Sequence, residues 1–182
     1  MDKEQTAPSQ SWLAVGREIA DLLERVDPKA FDAVVEATAD TTRRIFLSGQ
    51  GRSGLSAEMA AMRFMHIGRE VHFVGEATSP SVRNGDVMIL VSGSGETPVS
   101  VSYARIAKSE GATLVLLTHK PQSTLAGIAD VVLPVPSQGS KQLGGNLFEL
   151  CSLILLDSIV MEHGAKLPDA PKTLAYNHTN MQ

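Results

Sequence analysis

The sequence predicts an α/β fold: a five-stranded parallel sheet of flavodoxin-like type with helices on both faces, an α-α-sheet-α-α sandwich. Five short apolar runs alternate along the chain with segments of helical spacing. Two of those runs end in glycine-rich loops that open into helices, the arrangement found at strand ends that hold ligands. The chain has 182 residues, 43% of them hydrophobic, which is enough to bury one sizeable core. A single domain over 1–182 is therefore expected, with N-terminal helices over 1–40, a sheet core and buried helix over 44–163, and a tail over 164–182.

Residues 12–26 place Leu13, Ile19, Leu22, Leu23 and Val26 on a helical stripe that Pro28 ends. A second helix is expected over 28–39. The first strand, 45–48, runs into Gly49-Gln50-Gly51-Arg52-Ser53-Gly54 and then a long helix to about Ile67, closed by Gly68. Leu55, Met59, Met62 and Met65 or His66 are expected along the inner side of that helix. The second strand is 71–74. The third, 87–91, leads into Ser92-Gly93-Ser94-Gly95-Glu96-Thr97, with Thr97 at the N-cap of a helix, Pro98 as its first residue and Gly111 as its stop. Strands at 113–118 and 131–135 flank a short helical turn. A Gly, Ser and Gln-rich loop over 136–146 precedes the most apolar segment of the chain, 147–161. That segment carries Glu149 and Asp157 and is too short to span a bilayer, so it reads as a buried or interface helix.

The formal net charge of -4 opposes a nucleic-acid surface, whose footprint is a basic face. No membrane partner is expected. One cysteine, Cys151, excludes an internal disulfide and fits a reducing, cytoplasmic setting, where it reads as a small buried hydrophobe. The polar residues 1–11 lack the apolar core of a signal peptide.

The chemistry concentrates in the two glycine loops. In a 2-1-3-4-5 sheet the winding reverses between strands one and three, so the loops after them face one crevice. Ser92, Ser94 and Thr97 supply three hydroxyls there, and glycines let backbone N–H groups approach an anion in front of a helix N-terminus, which makes a phosphate cradle. The first loop also matches the dinucleotide pattern Gly-x-Gly-x-x-Gly, with Glu76 about where a ribose-binding acid stands. Arg52 and Ser53 sit where a pyrophosphate needs only backbone, and NAD binding gives the second cradle no role. Phosphate or sugar contacts are therefore assigned to Ser48, Gly51, Arg52 and Ser53 as well.

Glu149 opens a segment that is apolar nearly all round. A carboxylate desolvated there is raised toward neutrality, which suits a general base, whereas the alternative is a plain interaction with the helix dipole. His119 follows the fourth strand and can reach the crevice, while His66 and His72 read as structural. No His, Cys or Asp spacing resembles a metal site.

These residues together resemble the sugar isomerase (SIS) domain family, and within it the 6-phospho-3-hexuloisomerases. The resemblance rests on the two glycine loops, on Met62-Arg63-Phe64-Met65-His66-Ile67-Gly68, on Val74-Gly75-Glu76-Ala77-Thr78-Ser79-Pro80-Ser81, and on Leu147-Phe148-Glu149. It implies interconversion of D-arabino-hex-3-ulose 6-phosphate and D-fructose 6-phosphate, as in formaldehyde fixation through ribulose monophosphate. It also implies a sugar phosphate as partner, no cofactor and no metal, and a homotetramer. Glu149 matches the family's proposed base, and His178 matches a histidine of a C-terminal motif that is thought to assist, in its own or a neighbouring subunit. The chain departs from the family at Asn146, usually a small hydroxyl residue, and at Asn177 and Gln182, where the family has arginine and glutamate. Isomerisation of another aldose-ketose pair, or phosphosugar sensing without turnover, are the alternatives.

Overall fold

The computed structural model describes residues 10–181, so most of the polar N-terminus and Gln182 lie outside the described residues. The elements are α1 (Ser11–Leu23), α2 (Pro28–Ala37), β1 (Ile45–Gly49), α3 (Arg52–His66), β2 (Val71–Phe73), β3 (Val87–Val91), α4 (Pro98–Ser109), β4 (Thr113–Thr118), α5 (Thr124–Ile128), β5 (Val131–Pro134), α6 (Asn146–Gly164) and α7 (Ala170–Asn177). All strand pairs are parallel and the order is β2-β1-β3-β4-β5, which puts the reversal of winding between β1 and β3.

Strands buried on both faces are continuous apolar runs, and β1 and β3 are buried at every position. Successive residues alternate between two cores. Ile45, Leu47, Val87, Ile89 and Val91 pack with α1, α2, α3 and α6. Phe46, Met88 and Leu90 pack with α4 and α5. The sandwich is thus lopsided, with the long apolar α6 on the heavier side, lying against α3.

The inner face of α3 departs from expectation. Leu55, Met59 and Met62 are 60%, 52% and 52% exposed, while Ala57, Ala60, Ala61 and Phe64 are buried against the sheet. Small side chains win the inner face because they let the helix axis approach strands that are already filled with branched residues. The long methionine stripe, equally periodic, is displaced to the outer face.

The termini of the helices follow local chemistry. Asp27 caps α2 by accepting from the Lys29 N–H at 2.9 Å, and Pro28 is the first helical residue. In α4 Thr97 holds the N-cap position and Pro98 follows it, but the Thr97 side chain makes no capping bond. The tail expected over 164–182 contains a helix, α7, that the sequence analysis did not assign. Its signals are Asp169, whose carboxylate accepts from the Lys172 N–H at 3.1 Å, and Pro171 in the first turn. Among the described residues, no helix is long and apolar enough to cross a membrane.

Candidate functional site

The register pairs Ser48 with Leu90 and Gly49 with Val91, so the loops after β1 and β3 leave the sheet side by side. Ser48 is the fourth residue of β1 and Ser92 the first beyond β3, and both are buried. Among the described residues, neither hydroxyl has a hydrogen-bond partner. A buried hydroxyl without a partner costs roughly 1–3 kcal/mol. Ser100 in α4 and Ser152 in α6 share that state, and what sets Ser48 and Ser92 apart is that they stand together at the strand ends, where a ligand would complete them.

The second loop is pinned from behind by α5. The Leu125 N–H donates to the Gly95 carbonyl at 3.1 Å, and the Glu96 carboxylate accepts from the Thr124 N–H at 2.8 Å, which holds its pKa below the ordinary carboxylate range. Gly95 adopts φ +64°, and a Cβ there would lie 2.0 Å from the Ser123 hydroxyl. Glycine is therefore required by the contact as much as by the backbone. Ser94 accepts from the Glu96 N–H at 3.2 Å, and the half-buried Thr97 hydroxyl is left without a capping bond at the start of α4. The loop is thus a braced frame carrying spare donors.

The first loop has a different construction. A Cβ on Gly49 would lie 2.7 Å from the Ser53 carbonyl carbon, and one on Gly54 would lie 2.7 Å from the Gly49 oxygen. The first and third glycines of the motif are therefore demanded by the tight join of β1 to α3. Gly51, at φ +58° with open space around it, supplies the turn. This packing accounts for all three glycines without a dinucleotide. Ser53, in the first turn of α3, is half-buried.

The start of α6 touches both loops. Phe148 lies 3.3 Å from where a Gly93 Cβ would stand and meets the His119 ring edge-on, with centroids 5.9 Å apart. Burial, with Lys120 adding to it, pushes the His119 imidazole down from its ordinary value, so it sits neutral beneath the second loop at physiological pH. Glu149, one residue on, has only 14% of its side chain exposed and forms an ion pair with Arg52. This corrects the picture of a carboxylate desolvated among apolar neighbours: its environment is a guanidinium, which fixes its direction. Arg52 also donates to Asn146 Oδ1, so it faces α6. Ser56 Oγ ties the two helices again by donating to the Glu149 carbonyl at 3.2 Å.

His178 lies elsewhere in the chain. It stacks on His66 at the far end of α3, with ring centroids 5.2 Å apart, and Asn177 donates to the His66 carbonyl at 3.2 Å. The 15 residues of α3 put that end roughly 21 Å from Arg52 at 1.5 Å per residue. One chain therefore brings Ser48, Gly51, Arg52, Ser53, Ser92, Ser94, Thr97 and Glu149 to one end of the sheet and leaves His178 at the other. Cys151 is buried behind Glu149, and burial pushes its thiol up to about 11, so it is inert at neutral pH. The sequence reading missed Gln142 and Glu18, which connect to Arg52 through Asn146. Their signal was slight, a polar residue four positions before Asn146 and an acid on a helix remote in sequence.

The arrangement offers a loop with unbonded hydroxyls and, on the helix whose start meets that loop, a carboxylate held by a cation. The family model described as "SIS domain" matches residues 40–156. The chain is 36% identical over 173 residues to the 3-hexulose-6-phosphate isomerase of Mycobacterium gastri, covering 91% of this chain and 86% of that one. It is 34% identical over 151 residues to the Bacillus subtilis enzyme of the same name, covering 78% and 82%. Among solved structures, a Methanococcus jannaschii protein whose structure led to an inferred function of 3-hexulose-6-phosphate isomerase superposes with a TM-score of 0.85. It is 30% identical and matches over 96% of this chain and 100% of that one.

Proposed function

The chain belongs to the SIS domain family, and on that premise we propose that it is a phosphosugar isomerase interconverting D-arabino-hex-3-ulose 6-phosphate and D-fructose 6-phosphate. The observation that carries this reading is the pair of buried, unpartnered hydroxyls, Ser48 and Ser92, at the ends of the two strands whose loops meet the start of α6, which carries the ion-paired Glu149. Ser92, Ser94 and Thr97, with the backbone N–H groups around them, hold the phosphate in front of α4, where the helix dipole favours negative charge. Gly51, Arg52 and Ser53 flank the sugar.

Moving the carbonyl from C3 to C2 removes a proton from C2 and returns one to C3 through a 2,3-enediolate, while a hydroxyl proton passes from O2 to O3. One carboxylate on one face serves both carbon centres, and Glu149 is assigned that role. Nothing is oxidised or reduced overall, so the reaction consumes no cofactor. Fixing the phosphate orients the reacting carbons, so remote binding energy is used at the chemical step.

His178 is assigned the transfer between the oxygens. Because it stands at the wrong end of its own α3, the role belongs to the partner subunit's His178 in a homotetramer. Support for assembly comes from the exposed stripe of Leu55, Met59 and Met62, which is continuous with Leu150 and Leu153 of α6 around a recess of about 170 Å³. Incubation with D-fructose 6-phosphate in heavy water, followed by NMR, tests the reaction. Deuterium entering at C3 is the expected result. Exchange at C1 would reassign the chain to aldose-ketose isomerisation, and binding without exchange would leave it a phosphosugar sensor.

A further inference from the structure

Glu18, on α1, is bound by three consecutive residues of the loop that precedes α6. Its carboxylate accepts from Ser140 Oγ at 2.8 Å, from the Lys141 N–H at 3.1 Å and from Gln142 Nε2 at 3.0 Å. Gln142 Oε1 in turn accepts from Asn146 Nδ2 at 2.5 Å. Asn146 Oδ1 accepts from Arg52, whose Nε donates to Glu149. An unbroken chain of side-chain hydrogen bonds therefore joins α1 to the carboxylate assigned as the base.

The two ends of this chain determine its direction. A guanidinium only donates, so Asn146 must offer Arg52 its oxygen and turn its NH₂ toward Gln142. Gln142 must then offer its oxygen to Asn146 and turn its own NH₂ outward, where only an acceptor satisfies it. An ionised carboxylate is acceptor-only, and the hydrogen bonds from Lys141, Ser140 and Gln142 hold the Glu18 pKa below the ordinary carboxylate range. With both ends fixed, each amide has one orientation. A glutamine at position 18 removes that fixity, because it can present either an oxygen or an NH₂.

Packing does not substitute for these bonds. A cavity of about 660 Å³ opens between α1 and the loop, lined by Ala14, Val15, Glu18, Arg52, Gln142 and Leu143, and Leu143 is 92% exposed. The loop is tied to α1 across this space by its hydrogen bonds to Glu18.

From these contacts we infer that Glu18 is a positioning residue for Glu149, acting through Gln142, Asn146 and Arg52. The inference rests on Glu149 being the base. It gives a functional meaning to Asn146, one of the positions at which this chain departs from the pattern of the family it resembles: an amide there can accept from Arg52 and donate to Gln142 at once.

The test is a double-mutant cycle read in two ways. Turnover of D-fructose 6-phosphate is measured for the wild type, Glu18→Gln, Asn146→Ala and the double variant, and the Arg52 Nε–H resonance is followed by NMR in each. Glu18→Gln is expected to lower kcat roughly tenfold with KM within about twofold, the pattern of a misaimed base. It is expected to shift the Arg52 Nε–H signal, and to do neither in the Asn146→Ala background. Equal losses in both backgrounds, a change confined to KM, or an unmoved Arg52 signal would overturn the inference. Should Glu18→Gln fail to fold, Gln142→Leu cuts the same chain one link later and carries the same expectations. A wild type that does not turn over the sugar, yet shows the Asn146-dependent Arg52 shift, would support the relay and overturn the assigned reaction instead.

Discussion

The two glycine loops look alike in sequence and are built for different work. In Gly49 to Gly54 the first and third glycines are consumed by the join between β1 and α3, and the one cation, Arg52, is turned away to α6. In Ser92 to Thr97 the brace comes from α5, the Ser92 hydroxyl has no partner among the described residues, and the Thr97 hydroxyl makes no capping bond. Glycine spacing therefore reports how closely the backbone packs. Among the buried hydroxyls left without partners, Ser48 and Ser92 are the two that stand at these strand ends, where a ligand would complete them.

Five substitutions sharpen or break that contrast. The largest effect is expected from Glu149→Gln, which removes the proposed base, the carboxylate held by the first loop's Arg52. On the usual scale of general-base catalysis kcat falls by roughly 10³, with sugar binding retained. Steady-state kinetics with calorimetric binding checks it, and near-normal turnover sinks the assignment.

Gly95→Ala comes next, because the added carbon would lie 2.0 Å from the Ser123 hydroxyl and 2.4 Å from its Cβ at a backbone φ of +64°. A loss of about 2–4 kcal/mol in urea unfolding is expected from overpacking and backbone strain together. Gly51→Ala serves as the contrast. Nothing lies within 4 Å of its Cβ position, so only the positive φ acts, and about 1 kcal/mol is expected. Similar losses at the two positions would erase the distinction drawn between the loops.

Thr97→Val is expected to raise KM about tenfold, the cost of one hydrogen bond to a charged oxygen, with the melting temperature unchanged because no capping bond is lost. An unchanged KM would move the phosphate away from α4. The smallest effect is expected at Ser48→Ala. The hydroxyl is buried without a partner, so its removal should leave Tm equal or slightly higher while KM rises a few-fold. A clear drop in Tm would show that Ser48 bonds within the protein.

Much of this was legible beforehand for identifiable reasons. The strand runs around Phe46, Ile89 and Leu116 are short, apolar and regularly spaced, and the corner at Thr97-Pro98 is written in local turn chemistry, so order and topology followed. The face of α3 was not legible. Leu55, Met59 and Met62 recur with the same period as Ala57, Ala60, Ala61 and Phe64, and periodicity does not say which of two stripes meets the sheet. α7 was passed over because its composition is polar, although Asp169 and Pro171 marked its start.

The sequence by itself determined the alternating parallel fold, the positions of both loops and the family, because strand runs, caps and glycine turns are local properties of neighbouring residues. Only the tertiary structure decided what stands beside what. Arg52 and Glu149, 97 positions apart, form one ion pair. Glu18 reaches Gln142 across 124 positions. His178 ends up against His66, far from the residues with which a motif would group it. Contacts of that separation depend on how helices dock and how closely their axes approach, and small side chains set that distance at places where the sequence shows only another alanine.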